Sequence, residues 1–331
     1  MIVQMVIDRK DLTKLTETLL FFMTHFTFLC KLTNFVNYKQ KIFEVEDMLG
    51  KSVFYGFPHT QLEQLKGKIG SCNLIAKIFR VLCVLVILFY VLVPYLDENE
   101  EMSLPLPGWL PYNTTKYYYP TVVFQVMSVA VSAYNNSTID ILTWVLITVA
   151  SAEFDILKES LKNINYKSDD QNTNSRNIQI YFKNCINHHK EIMNLVYIIE
   201  DIFSKGIFLQ FFASVIVICF TGFQMIVVPI PSIQFIFLVI YFSCMMCQIA
   251  MYCWYGHDVM TTSDEVGQFF YMSNWYESDP EIRQSILVFL ERTKKPATVT
   301  AGKFVTLSLQ TLTAVSTQSI ISFFIKRKTF L

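Results

Sequence analysis

Apolar residues in this chain gather into long, unbroken stretches. Between Lys205 and Asp258 there is no Asp, Glu, Lys or Arg at all, a run far longer than the ~20 apolar residues that one bilayer-spanning helix needs. Pro229-Ile230-Pro231-Ser232 lies in its middle. Two prolines at that spacing break a helix, so the pattern predicts a helical hairpin with spans at about 206–228 and 233–255. Four further stretches behave alike. Residues 18–30 are uncharged within a span at about 14–36, and residues 81–95 within one at 74–96. Residues 117–152 carry one charge, Asp140, and give a span at 119–150; uncharged residues 304–325 give the last. All six are expected to be helical, because open strands cannot satisfy their backbone in lipid. The fold class is an all-α membrane protein, read as a single transmembrane domain over residues 1–331.

Composition agrees. Apolar residues make up 53% and charged residues 16% of the chain, against roughly 25% charged in ordinary globular proteins. The net charge of +0 lacks the basic excess of a nucleic-acid binder. With Gly and Pro at 10 each, collagen-like and turn-rich β architectures are excluded.

Orientation follows from Lys and Arg, which concentrate on the cytoplasmic side. The loop 38–71 and the segments 156–190 and 257–303 hold most of them, while 97–118 holds Lys116 alone. The first three are therefore expected inside and the last outside; Arg9, Lys10, Lys14 and the Lys326–Lys328 tail fall mildly against this. Asn113-Thr114-Thr115 is a glycosylation sequon in the expected external loop. Trp109, Tyr112 and Tyr117 beside it suit an interfacial aromatic belt. The overlapping sequons at Asn135 and Asn136 lie in an apolar helix and are expected to stay unmodified.

Some helices continue beyond the apolar stretches. Ile178, Phe182, Cys185, Ile192, Val196, Ile199 and Phe203 form a helical stripe leading into the fourth span. Asp279 as cap, Pro280 in the first turn, the stripe Ile282, Ile286, Phe289 and the stop at Pro296 mark a shorter helix. Residues 153–161 extend the third span. The cytoplasmic parts, about 153–203 and 257–303, form either an apolar-cored bundle or helices lying on headgroups. The polar segment 167–176 reads as a loop.

No catalytic constellation stands out, and no cofactor is expected. None of the 8 cysteines lies in the external loop, and Cys244-x-x-Cys247 sits inside a span. His188-His189 reads as part of an amphipathic face. His25, in the first span, lines a cavity or bonds a neighbouring helix. Asp140 is either a functional charge at depth or a residue at the inner headgroups. The last span is rich in hydroxyls, which fits a packed interface or a water-lined pore wall. Its residues Thr311, Val315, Gln318, Ser322 and Ile325 share one face.

The run Thr293-Lys294-Lys295-Pro296-Ala297-Thr298-Val299-Thr300-Ala301-Gly302-Lys303-Phe304, followed by Leu307-Ser308-Leu309, closely resembles the last-helix motif of insect odorant receptors. Tyr252-x-Trp254-x-Gly256, Leu106-Pro107-Gly108-Trp109 and Ala152-Glu153-Phe154-Asp155 resemble further parts of that family. The likeness covers the chain from about Leu15 to its end. It implies a seven-helix, ligand-gated cation channel subunit, with the cytoplasmic helices forming an anchor domain. It also implies a heterotetramer with a shared co-receptor subunit in the plasma membrane of an olfactory neuron dendrite. The last helix is then expected to line the pore, with Ser322 and Ile325 near its external mouth.

An odorant pocket is implied in the outer half of each subunit. Phe22, His25, Tyr90, Met127, Val131 and Tyr241 are the expected lining, for a small volatile apolar ligand recognised by shape at ~0.8 kcal/mol per buried CH₂. Rival readings are a gustatory receptor-type channel, a G-protein-coupled receptor, and a membrane transporter or enzyme; the last would need more buried charge than Asp140. Against the seven helices of the family, the six spans suggest that the first helix is missing, as in a truncated, non-functional receptor.

Overall fold

The computed structural model describes residues 1–51, 54, 59–96, 104, 106, 108–112, 114, 116–162, 171–230, 232–273, 275–277, 280–314 and 317. The described residues are almost entirely helical. A short helix α1 (Ile2–Ile7) precedes α2 (Leu12–Asn37), α3 (Lys39–Leu49) and α4 (His59–Leu96). Three long helices follow, α5 (Tyr118–Lys162), α6 (Gln171–Val227) and α7 (Ile233–Tyr271), and then α8 (Pro280–Thr293).

The hairpin between α6 and α7 forms where the prolines place it. Ser232 starts α7 with extended backbone, its hydroxyl accepting from the Phe235 N–H at 3.1 Å, which satisfies one of the free donors of the first turn. Four helices are long and apolar enough to cross a membrane: Lys14–Asn37, Glu63–Leu92, Ile178–Val227 and Ile233–Tyr271. The third expected span lies in α5, which is not among them. It nonetheless turns Val123, Phe124, Met127 and Val131 outward, an apolar face that suits lipid.

The helices pack into one bundle with two cores. α5 lies against α4 and α7, and α2 against α6. The larger core gathers the stripe of α6, with Ile192, Leu195 and Ile202 fully buried, and the α8 residues Ile286 and Phe289. Phe182 stacks on Phe270 at 5.4 Å between ring centroids, and Phe289 meets both edge-on. The extensions therefore pack on one another in a bundle. The smaller core holds Leu20, Tyr90, Val217, Leu238 and Tyr241.

Two stretches expected to be loops are helical. Residues 39–49 form α3, because Val45 and Met48 share a face that buries against α6. The polar residues 171–176 belong to α6, continuous with a helix whose later turns pack tightly; residues 163–170 lie outside the described residues. Asp279, the expected cap of α8, also lies outside them.

The expected last span does not begin as a helix. Thr300–Ala301 pairs antiparallel with Val305–Thr306, and helix resumes at residues 309–314. Gly302 and Lys303 turn the hairpin, both at φ 63°. A Cβ on Gly302 would also stand 2.9 Å from the Phe208 ring. The Gly302 and Lys303 N–H groups donate to the carbonyl and hydroxyl of Ser204 at 2.9 and 3.2 Å, which docks the turn on α6. Gly256 of α7 admits the segment that follows, since a Cβ there would lie 2.3 Å from Leu307 Cβ.

Candidate functional site

The membrane halves of α2, α4, α5 and α7 do not close fully on one another. They leave a cavity of about 100 Å³. Its walls are mainly aromatic and aliphatic: Phe21 and Phe28 from α2, Phe79 and Val86 from α4, Val129 from α5 and Phe237 from α7. A chain of rings frames it. Phe21 lies 5.0 Å from Tyr90, Tyr90 6.1 Å from Phe237, and Phe237 stacks on Tyr241 at 5.9 Å. Contacts of this kind hold side chains in place and so fix the shape of the space.

Polar groups are few and placed. On the α2 side, Thr24 and His25 line the cavity, and the Tyr241 hydroxyl meets Thr24 Oγ1 at 2.8 Å. Thr24 Oγ1 donates to the Leu20 carbonyl at 2.9 Å. His25 Nδ1 lies 2.8 Å from the Phe21 carbonyl. Of the two readings weighed for His25, the structure places it at a cavity, and its bond is to its own helix and not to a neighbouring one. The Tyr90 hydroxyl is buried without a hydrogen-bond partner among the described residues.

The floor is the most polar part of the bundle interior. Asn136 and Gln248 face the cavity and also belong to a network centred on Asp140. Lys31 Nζ lies 2.5 Å from Asp140 Oδ1, with the two side chains 3% and 0% exposed. Tyr252 OH donates to Asp140 Oδ1 at 2.6 Å, and Gln248 Nε2 to Oδ2. Lys31 also donates to Asn136 Oδ1 at 3.1 Å, and Gln210 Nε2 to Gln248 Oε1 at 2.8 Å. The network ties α2, α5, α6 and α7 together. Asp140 is therefore buried inside the bundle and paired. A buried carboxylate is tolerable in this setting because a cation and two neutral donors surround it.

Of the expected pocket residues, the fold brings His25, Tyr90 and Tyr241 to one cavity. Phe22 does not line it; its ring stacks on Phe26 at 6.0 Å. Met127 and Val131 are 59% and 54% exposed on the outer face of α5, whereas Val129, Ser132 and Ala133 on the same helix line the cavity. Thr311 donates to the Thr306 carbonyl at 2.8 Å, at the start of the last helix. Val315, Gln318, Ser322, Ile325 and Asn113 lie outside the described residues. Cys244 approaches Cys83 of α4, Sγ to Sγ 3.8 Å, at the cavity wall.

At the charged end of the bundle, Glu153 accepts from His188 Nε2 at 3.0 Å, both buried. Lys68 bridges Asp155 and Asp258 at 2.7 and 3.0 Å. His189 is buried against Phe289; burial, with Arg292 and His188 nearby, pushes its imidazole down to about 4. Together these pairs hold α4, α5, α6 and α7 in register, a structural role. Among the described residues, no group of three or more His, Cys, Asp or Glu side chains could hold a metal ion.

A family model described as 7tm odorant receptor matches residues 11–319. Odorant receptor Or1 of Anopheles gambiae is 26% identical over 92% of this chain and 78% of its own length. Odorant receptor 85b of Drosophila melanogaster is 27% identical over 74% of this chain and 64% of its own. Putative odorant receptor 92a of the same fly is matched over 46% of its length. The insect olfactory receptor OR5 from Machilis hrabei, solved in complex with eugenol, superposes with a TM-score of 0.81 at 16% identity, covering 95% of this chain and 81% of that one.

Proposed function

The chain belongs to the 7tm odorant receptor family, a multi-pass membrane receptor and not an enzyme, and from that premise we propose that it is the ligand-binding subunit of an odorant-gated cation channel. One observation carries the reading: an aromatic-walled cavity between α2, α4, α5 and α7, with a few fixed polar groups, in a chain of this family. The odorant enters this cavity. Its contacts are His25, Tyr90 and Tyr241, with Phe21, Phe237 and Asn136 beside them. The related Machilis receptor solved with eugenol supports small volatile ligands as the class.

The helices of the apolar half cross the plasma membrane of an olfactory neuron, with the charged end and α8 in the cytoplasm. The cytoplasmic bundle acts as the anchor of a heterotetramer with an odorant co-receptor subunit. Thr311, Val315, Gln318, Ser322 and Ile325 line the pore from each last helix. Ligand shifts the closed–open equilibrium only by as much as it prefers the open state.

Co-expression with an insect co-receptor, and recording of currents over an odorant panel, tests this. Odorant-evoked cation current should need both subunits. Current that persists without the co-receptor, or that survives filling the cavity by Ala133→Phe, would overturn it.

A further inference from the structure

The polar atoms that α2 and α7 present to the cavity have a defined hydrogen-bond sense, the Tyr90 hydroxyl of α4 being free to give or accept, and that sense selects a ligand chemistry. Thr24 has one hydroxyl proton, and it goes to the Leu20 carbonyl. The Tyr241 hydroxyl, 2.8 Å from Thr24 Oγ1, must therefore be the donor of that pair. Its proton is used, and lone pairs are all it offers to the cavity. His25 obeys the same logic. The Phe21 carbonyl can only accept, so His25 Nδ1 carries a proton, and in the neutral imidazole that leaves Nε2 as an acceptor. Neither Nε2 nor the Tyr241 hydroxyl has a further partner among the described residues. The wall between α2 and α7 is thus a wall of acceptors. At the floor the sense reverses. Asn136 Oδ1 is taken by Lys31, which leaves the amide N–H groups of Asn136 as donors.

We propose that the cavity takes a compact neutral volatile bearing a hydroxyl group, a small alcohol, in preference to an aldehyde, ketone or ether of the same shape. The inference rests on the cavity being the odorant site. A hydroxyl donates to His25 Nε2 or the Tyr241 oxygen, and its own lone pairs accept from Asn136. A carbonyl or ether oxygen can only accept, and it leaves the acceptor wall buried and unpaired. A carboxylate has no proton to give and brings a second anion toward Asp140. Size adds a second filter. An apolar cavity of about 150 Å³ holds benzene, so a cavity of about 100 Å³ suits roughly four to six non-hydrogen atoms.

The test uses the purified full chain in detergent and reads thermal stabilisation by pentan-1-ol, pentanal and 1-methoxybutane, which have equal numbers of non-hydrogen atoms. Stabilisation by a bound ligand follows its concentration relative to Kd. Pentan-1-ol is expected to bind about tenfold or more tightly than the other two, since each of those leaves a buried acceptor unpaired. His25→Leu combined with Tyr241→Phe should erase that advantage, weakening pentan-1-ol and relieving the penalty on the other two, so that all three bind within about twofold of one another. Tyr241→Phe alone, which deletes one oxygen, serves if the double variant does not fold. Equal stabilisation by the alcohol and the ether overturns the hydroxyl preference. Ala133→Phe should abolish stabilisation by all three. If the alcohol preference survives unchanged in that variant, the ligands bind elsewhere and the cavity reading itself fails. Stabilisation by none of them removes the cavity as a site for ligands of this size.

Discussion

Removing Lys31 should unsettle the bundle far more than removing a surface lysine, because its partner cannot follow it into water. In Lys31→Met the Asp140 carboxylate, 0% exposed in the native chain, keeps Tyr252 and Gln248 as donors but loses its cation. Stripping one partner from a buried pair costs about 3–5 kcal/mol. For a chain of this size that amounts to roughly 2 °C per kcal/mol, or a fall of about 6–10 °C in melting temperature. Asp140→Leu should cost a similar amount, because it leaves the Lys31 ammonium in the same dry site. The double variant is the discriminating one. A well-packed apolar replacement of a buried pair is often near neutral. Lys31→Met with Asp140→Leu should therefore be less damaging than the sum of the single changes by about 2 kcal/mol or more. Tryptophan fluorescence during heating in detergent, at one fixed scan rate because unfolding is not expected to reverse, gives the four values of the cycle. Single changes that lower the midpoint by less than about 2 °C, or that simply add in the double variant, would refute a buried, mutually dependent pair.

Acid should loosen the charged end of the molecule. His189 titrates near 4 in the folded chain against an ordinary value of about 6.5. Its contribution is therefore present in full above pH 6.5, declines as pH falls through that value, and is gone by about pH 4. The window is worth about 3 kcal/mol. Melting curves between pH 7.5 and 4.5 should show the decline, and His189→Phe should flatten it; an unchanged slope in the variant assigns the effect to another group. Gly302→Ala should destabilise by about 1 kcal/mol or more, from its positive φ and from the crowding of the Phe208 ring. A wild-type melting temperature for that variant would mean that the hairpin does not dock on α6. Copper phenanthroline should join Cys83 to Cys244, read as a linked peptide by mass spectrometry. Linkage of Cys244 to Cys247 in its place would contradict the packing of α4 on α7.

The odorant receptor motif at 293–304 shows why a sequence resemblance needs its structure. Read along the chain, Lys303 and Phe304 open a span. In space Gly302 and Lys303 turn a hairpin clamped by Ser204, and Gly256, from a second motif, makes room for Leu307. The two motifs are two sides of one joint. That joint is invisible in one dimension, because one half is a hairpin and the other a turn of α7, distant along the chain. α3 was missed for a different reason. Its stripe is short and sits among charges, so the signal of 39–49 is weaker than its burial against α6.

What the sequence determined by itself was where the long apolar helices run and where the chain turns back between α6 and α7. Uncharged runs and two prolines place the long helices and the α6–α7 hairpin, because the cost of burying charge and the breaking power of proline act locally. At the charged end, the stripes of α6 and α8 also give the correct inner face, since water on one side makes the periodicity legible. Within the apolar half, tertiary structure decided. A helix that is apolar all round carries no such mark, and so Met127 and Val131 were expected inside while their neighbours Val129, Ser132 and Ala133 line the cavity. Pairing was likewise beyond the sequence. Lys31 reads as the end of a weak span and Asp140 as a lone charge, until α2 and α5 come together and each becomes the reason the other can be buried.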